Sequence, residues 1–562
     1  MILSIAASVV SCQSDPAIEP ADIILINGGI YTVNADRSWA QAAAIADGEI
    51  VAVGDNDAIA KFSGADTLTI DLTGGMALPG LHDAHVHPLE GGHLMRSCDL
   101  SNIHSSADAV FEHIRQCAAE SDDEWVVGLG LDLSLFGQSG PDYAALNEIA
   151  MDRYFYIEGE DGHSALVNDL VLELAGFDSD TPDPDKGVIE RRADSNEPNG
   201  TVRESAVVIV GAFRPKASFS DERDAMQDAI KAMNAVGITS AVDAWAGELE
   251  MQLYKSLDDS GELTLRLVNS IIDEGVFEKH VGEDFERLLR IRNDYSSDLI
   301  RNDSIKIMVD GVLEGETAAL VKPYLELGHS GVLNHTEEEL QTRVARYDAM
   351  GLQIHMHTIG DGGVRNGLDA IEYARQQNAG NSASRDLRHH LSHLQLIHED
   401  DIARFAALDV SANFTAAWAH PNPWTMVLNL PVVGKDRVDR FYPIKSVESA
   451  GGNIVGGSDW TYGPLNPMES IEVAITRQNV NDEDAPVGNI DDAVDLQTAI
   501  EMYTVNAAWL MHQEDRTGSI EPGKRADIVI LDRNLFEIPA TKISESKVRT
   551  TIFDGQIVYE DQ

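Results

Sequence analysis

Leu78-Pro79-Gly80-Leu81-His82-Asp83-Ala84-His85-Val86-His87 is the stretch whose reading decides the fold. An apolar run with a Pro-Gly break leads into two histidines spaced by one residue. Side chains two apart on a strand point the same way, so His85 and His87 share a face. Two imidazoles at the C-terminal end of a barrel strand can grip one cation. Two surface histidines would give the same spacing, so the pair must be weighed against the rest of the chain.

Working outward, apolar β runs alternate with amphipathic segments, the pattern of a parallel sheet with crossover helices. Eight strands are predicted: 76–87, 237–245, 265–272, 304–312, 352–358, 390–396, 410–416 and 453–460. Helical stretches such as 221–235 and 336–350 fit between them. This is an α/β pattern, and eight strands with helices between suit a (β/α)8 TIM-like barrel better than an open sheet. The gap between the first two strands is long, so residues from about 88 to 219 read as an insertion over the barrel mouth. Short β runs occupy both ends of the chain. Ile23 to Gly29 and a hairpin bent at Asp47-Gly48 lie near the start; Ala526 to Asp532 and Val548 to Tyr559, broken at Asp554-Gly555, lie near the end. Such short strands bury no face alone, so both ends are expected to meet in one composite β-sandwich. The expected organisation is 1–20 signal and tether, 21–75 first sandwich part, 76–508 barrel with its insertion, and 509–562 second sandwich part.

Further chemistry-bearing residues fall at strand ends. His357 closes the fifth strand before Thr358-Ile359-Gly360-Asp361-Gly362, His393 sits in the sixth, and Asp459 closes the eighth within Gly456-Gly457-Ser458-Asp459-Trp460. Each alone is more often a satisfied buried histidine or a helix cap. Four histidines and one aspartate at the strand ends of one barrel point instead to a metal site with a carboxylate able to move a proton. His355 lies two before His357 and shares its face, while Trp418, Trp424 and Trp460 are either pocket lining or packing.

These motifs resemble the amidohydrolase superfamily, in the branch of N-substituted formamide deformylase-like proteins (amidohydrolase family 3). The likeness runs over essentially the whole chain after its first residues. It includes Glu160-Asp161-Gly162-His163-Ser164-Ala165 with Asn168, Thr181-Pro182-Asp183-Pro184, Gly200 to Glu204, Lys306-Ile307-Met308-Val309-Asp310-Gly311 and Gly518 to Asp532. The resemblance implies a barrel, a composite β-sandwich and an inserted domain. It also implies roles. His85, His87 and Asp459 match the ligands of a first metal, His357 and His393 those of a second, and Lys306 the carboxylated lysine that bridges them. A lysine desolvated near cations has a lowered pKa, so its neutral amine can take up carbon dioxide. The alternative is a Lys306 paired with an acidic neighbour and a single ion. The cofactor implied is thus one or two divalent cations per chain, zinc foremost. His163, in the insertion, is expected either to reach a substrate carbonyl or to fix a loop. Glu314 and Glu316 after Asp310-Gly311, and Asn199, depart from the commoner pattern.

The function expected is metal-assisted hydrolysis of a C–N bond in an amide-like small molecule, with Asp459 as general base and acid. Rivals are a cyclic-amide hydrolase, a deaminase, and a non-catalytic metal-containing binding lipoprotein. Lys and Arg total 41 against 94 Asp and Glu, a formal net charge of −53 that repels nucleic acid and anionic lipid. Met1 to Val10 is nearly all apolar or small, and Val9-Val10-Ser11-Cys12 resembles a lipobox. Cys12 would then be the lipidated first residue of a periplasmic or lipid-anchored protein of the bacterial cell envelope, touching membrane only through that anchor. The alternative is an unprocessed, frayed N-terminus. Cys98 and Cys117 are either a disulfide or two buried thiols. A homodimer is the symmetry expectation.

Overall fold

The computed structural model describes residues 19–561 apart from 102, 134, 137–140, 161–163, 186, 193, 274–284, 326–327, 423 and 483. Cys12 with its lipobox, and His163, therefore lie outside the described residues.

The predicted first strand is in fact two strands in two different sheets. Met76–Pro79 runs antiparallel to Ile528–Leu531. Leu81–Val86 instead pairs in parallel with Ile238–Ala246. Gly80 makes the change of sheet: its N–H donates to the Asp527 carbonyl, and the next N–H, of Leu81, donates to Gly237. A Cβ at residue 80 would stand 2.2 Å from Thr239 Oγ1, so the crossing needs a glycine.

Leu81–Val86 is the first of eight parallel strands, here β1. Ile238–Ala246 (β2), Arg266–Ile272 (β3), Ile300–Met308 (β4), Gln353–Thr358 (β5), His390–His393 (β6), Ser411–Phe414 (β7) and Ile454–Gly456 (β8) follow in sequence order. Every adjacent pair is parallel. The sheet curls until its ends meet, where Asp459 N–H donates to the His85 carbonyl at 2.8 Å. The result is a nearly closed eight-stranded barrel. Crossover helices include Glu337–Ala349, opened by a capping box of Thr336 and Glu339, and Asp361–Gln377. Strand bounds differ from the sequence reading where side chains mislead. β4 starts at Ile300 because Ile300 pairs with Leu267, although Arg301-Asn302-Asp303 looks like a loop. β6 stops at His393 because His393 and Leu394 take left-handed backbone angles, φ 74° and 53°.

The chain divides into two compact units. The first runs to Val86 and takes in Met233–Gly247 and everything from Thr264 onward. Besides the barrel it holds two terminal sheets. One has four strands in the order Glu49–Gly54, Ala42–Ala46, Ile23–Ile26 and Leu68–Asp71. The other has six, in the order Gln556–Glu560, Val548–Phe553, Ile528–Leu531, Met76–Pro79, Gly29–Tyr31 and Trp39–Ala40. Residues from both ends of the chain, among them Ile23, Leu25, Ile45, Ile528, Ile530 and Ile552, form one buried cluster. Each such side chain contributes about 1.5–3 kcal/mol on leaving water. The Asp-Gly hairpins bend as expected, with Asp47-Gly48 at φ 50° and 76° and Asp554-Gly555 at 50° and 74°.

The second unit comprises His87–Ala232 and Glu248–Leu263. Its mixed six-stranded sheet spans Cys98 to Glu204 and is lined by two apolar clusters, one around Phe155 and Ile157, the other around Tyr156 and Val202. Cys98 and Cys117 form a disulfide, which decides between the two readings left open above.

Candidate metal centre

The C-terminal ends of β1, β6 and β8 bring His85, His393 and Asp459 together. One ligand atom from each lies within 4.8 Å of the other two, and all three residues are buried. His85 Nε2 stands 3.3 Å from Asp459 Oδ1, and His393 Nδ1 stands 3.7 Å from Asp459 Oδ2. The sharp strand ends put them there: Asp459, like His393, has a left-handed backbone, φ 55°. Non-glycine residues held in that region carry strain, which persists where the surrounding fold fixes them.

Lys306, from β4, points its Nζ at His85 Nε2, 3.2 Å away. Burial lowers its pKa to about 7, against the opposing pull of Asp459 and Asp243. His357, at the end of β5, packs its ring 4.5 Å from that of His393 and places Nε2 3.3 Å from the Gly311 carbonyl. Burial, then the Lys306 charge, lowers its pKa to about 4. Burial likewise carries His393 well below the usual imidazole value. His87, one residue past β1, is buried at the N-cap of Pro88–Arg96. The sequence-predicted residues of β1, β4, β5, β6 and β8 are thus gathered at one end of the barrel. The tight trio, however, comprises His85, His393 and Asp459 only.

The donor set suits a divalent cation. Imidazole nitrogens and a carboxylate are ligands zinc accepts, and a histidine must be neutral to coordinate. The burial that keeps His357 and His393 uncharged meets that requirement. Trp418 stacks on His393 with ring centroids 6.0 Å apart, whereas Glu316 lies 3.7 Å from His329 Nε2 and Glu314 is half-buried.

Two carboxylates to which the sequence reading gave no role brace this end of the barrel. Asp83 Oδ1 accepts the N–H of His85 at 3.1 Å and of Ser458 at 3.0 Å, tying β1 to the segment that carries Asp459. Burial pushes its carboxyl up to about 6. Asp310 accepts three backbone N–H groups, from Ala319, Ile359 and Gly360, at 2.9–3.0 Å. Burial pushes it up to about 7 while those three donors pull the other way. Gly363 packs against this carboxylate so closely that a Cβ would stand 2.4 Å from Oδ2. Asp310 thereby locks the turn after His357. Only its position in the Asp310-Gly311 motif signalled it, because nothing local shows where its acceptors point.

Buried histidines, a lysine and an aspartate thus cluster at the strand ends of an eight-stranded barrel, an arrangement able to hold a divalent cation. The chain belongs to the amidohydrolase family, whose model matches residues 68–559. It is 28% identical over 558 residues to an N-substituted formamide deformylase of Arthrobacter pascens, covering 96% of this chain and 98% of that one. Among solved structures, an uncharacterized metal-dependent hydrolase from Pyrococcus furiosus superposes with a TM-score of 0.72 at 23% identity, covering 91% of this chain and 99% of that one. An adenosine deaminase from Xanthomonas campestris with bound zinc shares the fold at a TM-score of 0.53 and 15% identity, over 96% and 93% of the two chains.

Proposed function

We propose that this chain is a metal-dependent hydrolase cleaving a C–N bond in an amide-like small molecule. The observation that carries the reading is the buried His85–His393–Asp459 trio with Lys306 at its edge. His85, His87 and Asp459 would hold one ion, His357 and His393 a second, and Lys306 would lie between as a carbamate. Zinc is the ion proposed. A divalent cation bound there supplies Lewis-acid chemistry, polarising a carbonyl oxygen and bringing the pKa of a coordinated water towards about 7.

The chain's own residues then do the proton work. Asp459 accepts the proton of the attacking water on a carboxylate oxygen and passes it to the departing nitrogen. His85 and His393 flank that carboxylate at 3.3 and 3.7 Å. The Lys306 amine, uncharged in part near pH 7, would attack carbon dioxide through Nζ and shed one proton, giving a carbamate anion. His163 is proposed to donate to the substrate carbonyl. The terminal sheets are read as one composite sandwich and residues 88–219 as an insertion. The apolar Met1–Val10 run and Val9-Val10-Ser11-Cys12 support a lipid anchor in the cell envelope, and a homodimer is proposed on symmetry grounds alone.

The test is metal content per chain, by inductively coupled plasma mass spectrometry, joined to turnover of N-substituted formamides read as formate release. Two equivalents support the bridging Lys306, and one demotes it to a structural role. Asp459→Asn should cost about 10²–10⁴-fold in kcat with the metal retained. Full activity in that variant sinks the proton role. Ammonia release from aminated heterocycles, without formamide hydrolysis, would move the reading to a deaminase, a class already represented by the Xanthomonas structure.

A further inference from the structure

On the Nδ1 side of His85, opposite the Nε2 that faces Asp459 and Lys306, lies a second histidine that the family motifs do not single out. His355 is fully buried in β5 and uses both ring nitrogens. Its Nε2 is 3.0 Å from His85 Nδ1 and 2.8 Å from Ser392 Oγ, and its Nδ1 is 2.9 Å from Ser270 Oγ. Ser270 in turn reaches Ser304 Oγ at 3.0 Å. The two imidazoles meet almost at right angles, with centroids 4.7 Å apart and planes at 88°. The His85 N–H therefore aims at the edge of its partner ring, where a nitrogen lone pair lies.

We infer that His355 is a positioning residue for the metal centre, fixing His85 in the tautomer and orientation that present Nε2 to a cation. The inference rests on the metal reading above. His85 Nε2 is the atom that faces Asp459 and Lys306, so a cation among them needs the lone pair on Nε2 and the proton on Nδ1. That Nδ1–H requires an acceptor, and His355 Nε2 is in place. For Nε2 to accept, His355 must carry its own proton on Nδ1, which then donates to Ser270, whose hydroxyl donates onward to Ser304. The hydrogen-bond directions run one way from His85 through His355 and Ser270 to Ser304, while the Ser392 hydroxyl, 2.8 Å from the same Nε2, competes with His85 for its one lone pair. Metal-ligating histidines commonly hand their second N–H to a carboxylate or carbonyl. Here a neutral ring takes that place and adds no charge to a dry site.

The same face offers a control. His390 packs its ring 4.1 Å from that of His355, fully buried, and neither of its nitrogens has a hydrogen-bond partner among the described residues. It shares the packing of His355 and lacks the bond.

The experiment is zinc affinity of the full-length protein, by competition with a chromophoric chelator, with the melting temperature of the metal-free form in parallel. His355→Phe should weaken zinc binding about 10–100-fold, the range typical of lost outer partners. His355→Gln, which returns an acceptor oxygen, should recover most of the loss, and His390→Phe should leave affinity unchanged. If His355→Phe fails to fold, Ser270→Ala carries the test, because it removes the acceptor of the His355 N–H, together with the hydroxyl that donates to Ser304; it should weaken zinc in the same direction. Wild-type affinity in His355→Phe or Ser270→Ala, or equal losses in the Phe and Gln variants, overturns the inference while leaving the metal reading intact. A wild-type protein that takes up no zinc overturns the metal reading and this inference with it.

Discussion

Arg266 opens β3 inside the barrel wall, yet its guanidinium serves the C-terminal strands. Nε donates to Asp527 Oδ2 at 2.8 Å, and Nη2 donates to Asp527 Oδ1 at 3.3 Å and also to Asp554. Burial works against the charge, but Asp527 and Asp554 outweigh it and hold the pKa above the ordinary arginine value. The Asp527 side chain is 1% exposed; Asp554 is 30% exposed and also bonded to Arg525. Arg266→Met therefore strands one buried carboxylate rather than two. Asp527 would keep the Asp554 N–H at 2.8 Å as a donor, while Asp554 rehydrates. Breaking one side of a buried pair costs about 3–5 kcal/mol, most of it the penalty of the uncompensated charge. Arg266→Met with Asp527→Asn removes that charge and should return all but about 1–2 kcal/mol, a coupling well outside additive behaviour. Arg266→Lys keeps the charge without the fork and should fall between. Urea unfolding at pH 7, followed by circular dichroism and tryptophan fluorescence, reads all three. If the single and double variants are equally destabilised, or Arg266→Met costs under about 1 kcal/mol, the reasoning fails.

Two further outcomes follow from neighbouring histidines and from pH. His389 takes the Ile354 N–H on Nδ1 and donates from Nε2 to the fully buried Asp348, each at 3.0 Å, whereas His390 has no such partner among the described residues. His389→Leu orphans two polar groups and should cost about 2–5 kcal/mol, while His390→Leu should be neutral within about 1 kcal/mol or stabilising, read by the same denaturation. His82, buried between the Gly80 carbonyl and Thr517, is depressed by burial to about 3. Below about pH 6.5 the unfolded chain takes up a proton there that the native state refuses. The His82 contribution to stability is therefore full above 6.5 and falls by about 1.4 kcal/mol per pH unit as pH drops towards 3. His82→Gln should flatten the slope between pH 6.5 and 5 by that one proton, and an unchanged slope contradicts it.

The eight barrel strands were legible because a parallel strand buried on both faces is an almost unbroken apolar run. His85, His357, His393 and Asp459 were legible because each closes such a run, and the fold then has to place those ends together. What the sequence concealed has a common cause, which is pairing with distant residues. Gly80 looks like a turn within one strand; it is a crossing between sheets because Thr239 and Asp527 lie beside it. Arg301-Asn302-Asp303 looks like a loop, yet β3 recruits it into β4. Asp310 looks like part of a site motif, and its oxygens are spent on the backbone of the turn after His357.

His355 marks the same limit within the site itself. It alternates with His357 on one strand and shares its inward face, so periodicity alone gives both the same standing. They differ by one pleat of depth, about two residues of rise along β5. His357, at the strand end, packs against His393; His355, one layer deeper, sits among Ser270, Ser392 and His85. A histidine at the rim keeps a nitrogen for a ligand, while one in the layer below must satisfy both nitrogens with protein atoms. Barrel-strand histidines therefore divide into ligands and supports by layer, and the layer is set by inter-strand register, which a single sequence leaves open. For this chain the register pairs Lys306 with His355 and His355 with His390, which puts the support one layer below His357 and the Lys306 backbone beside it.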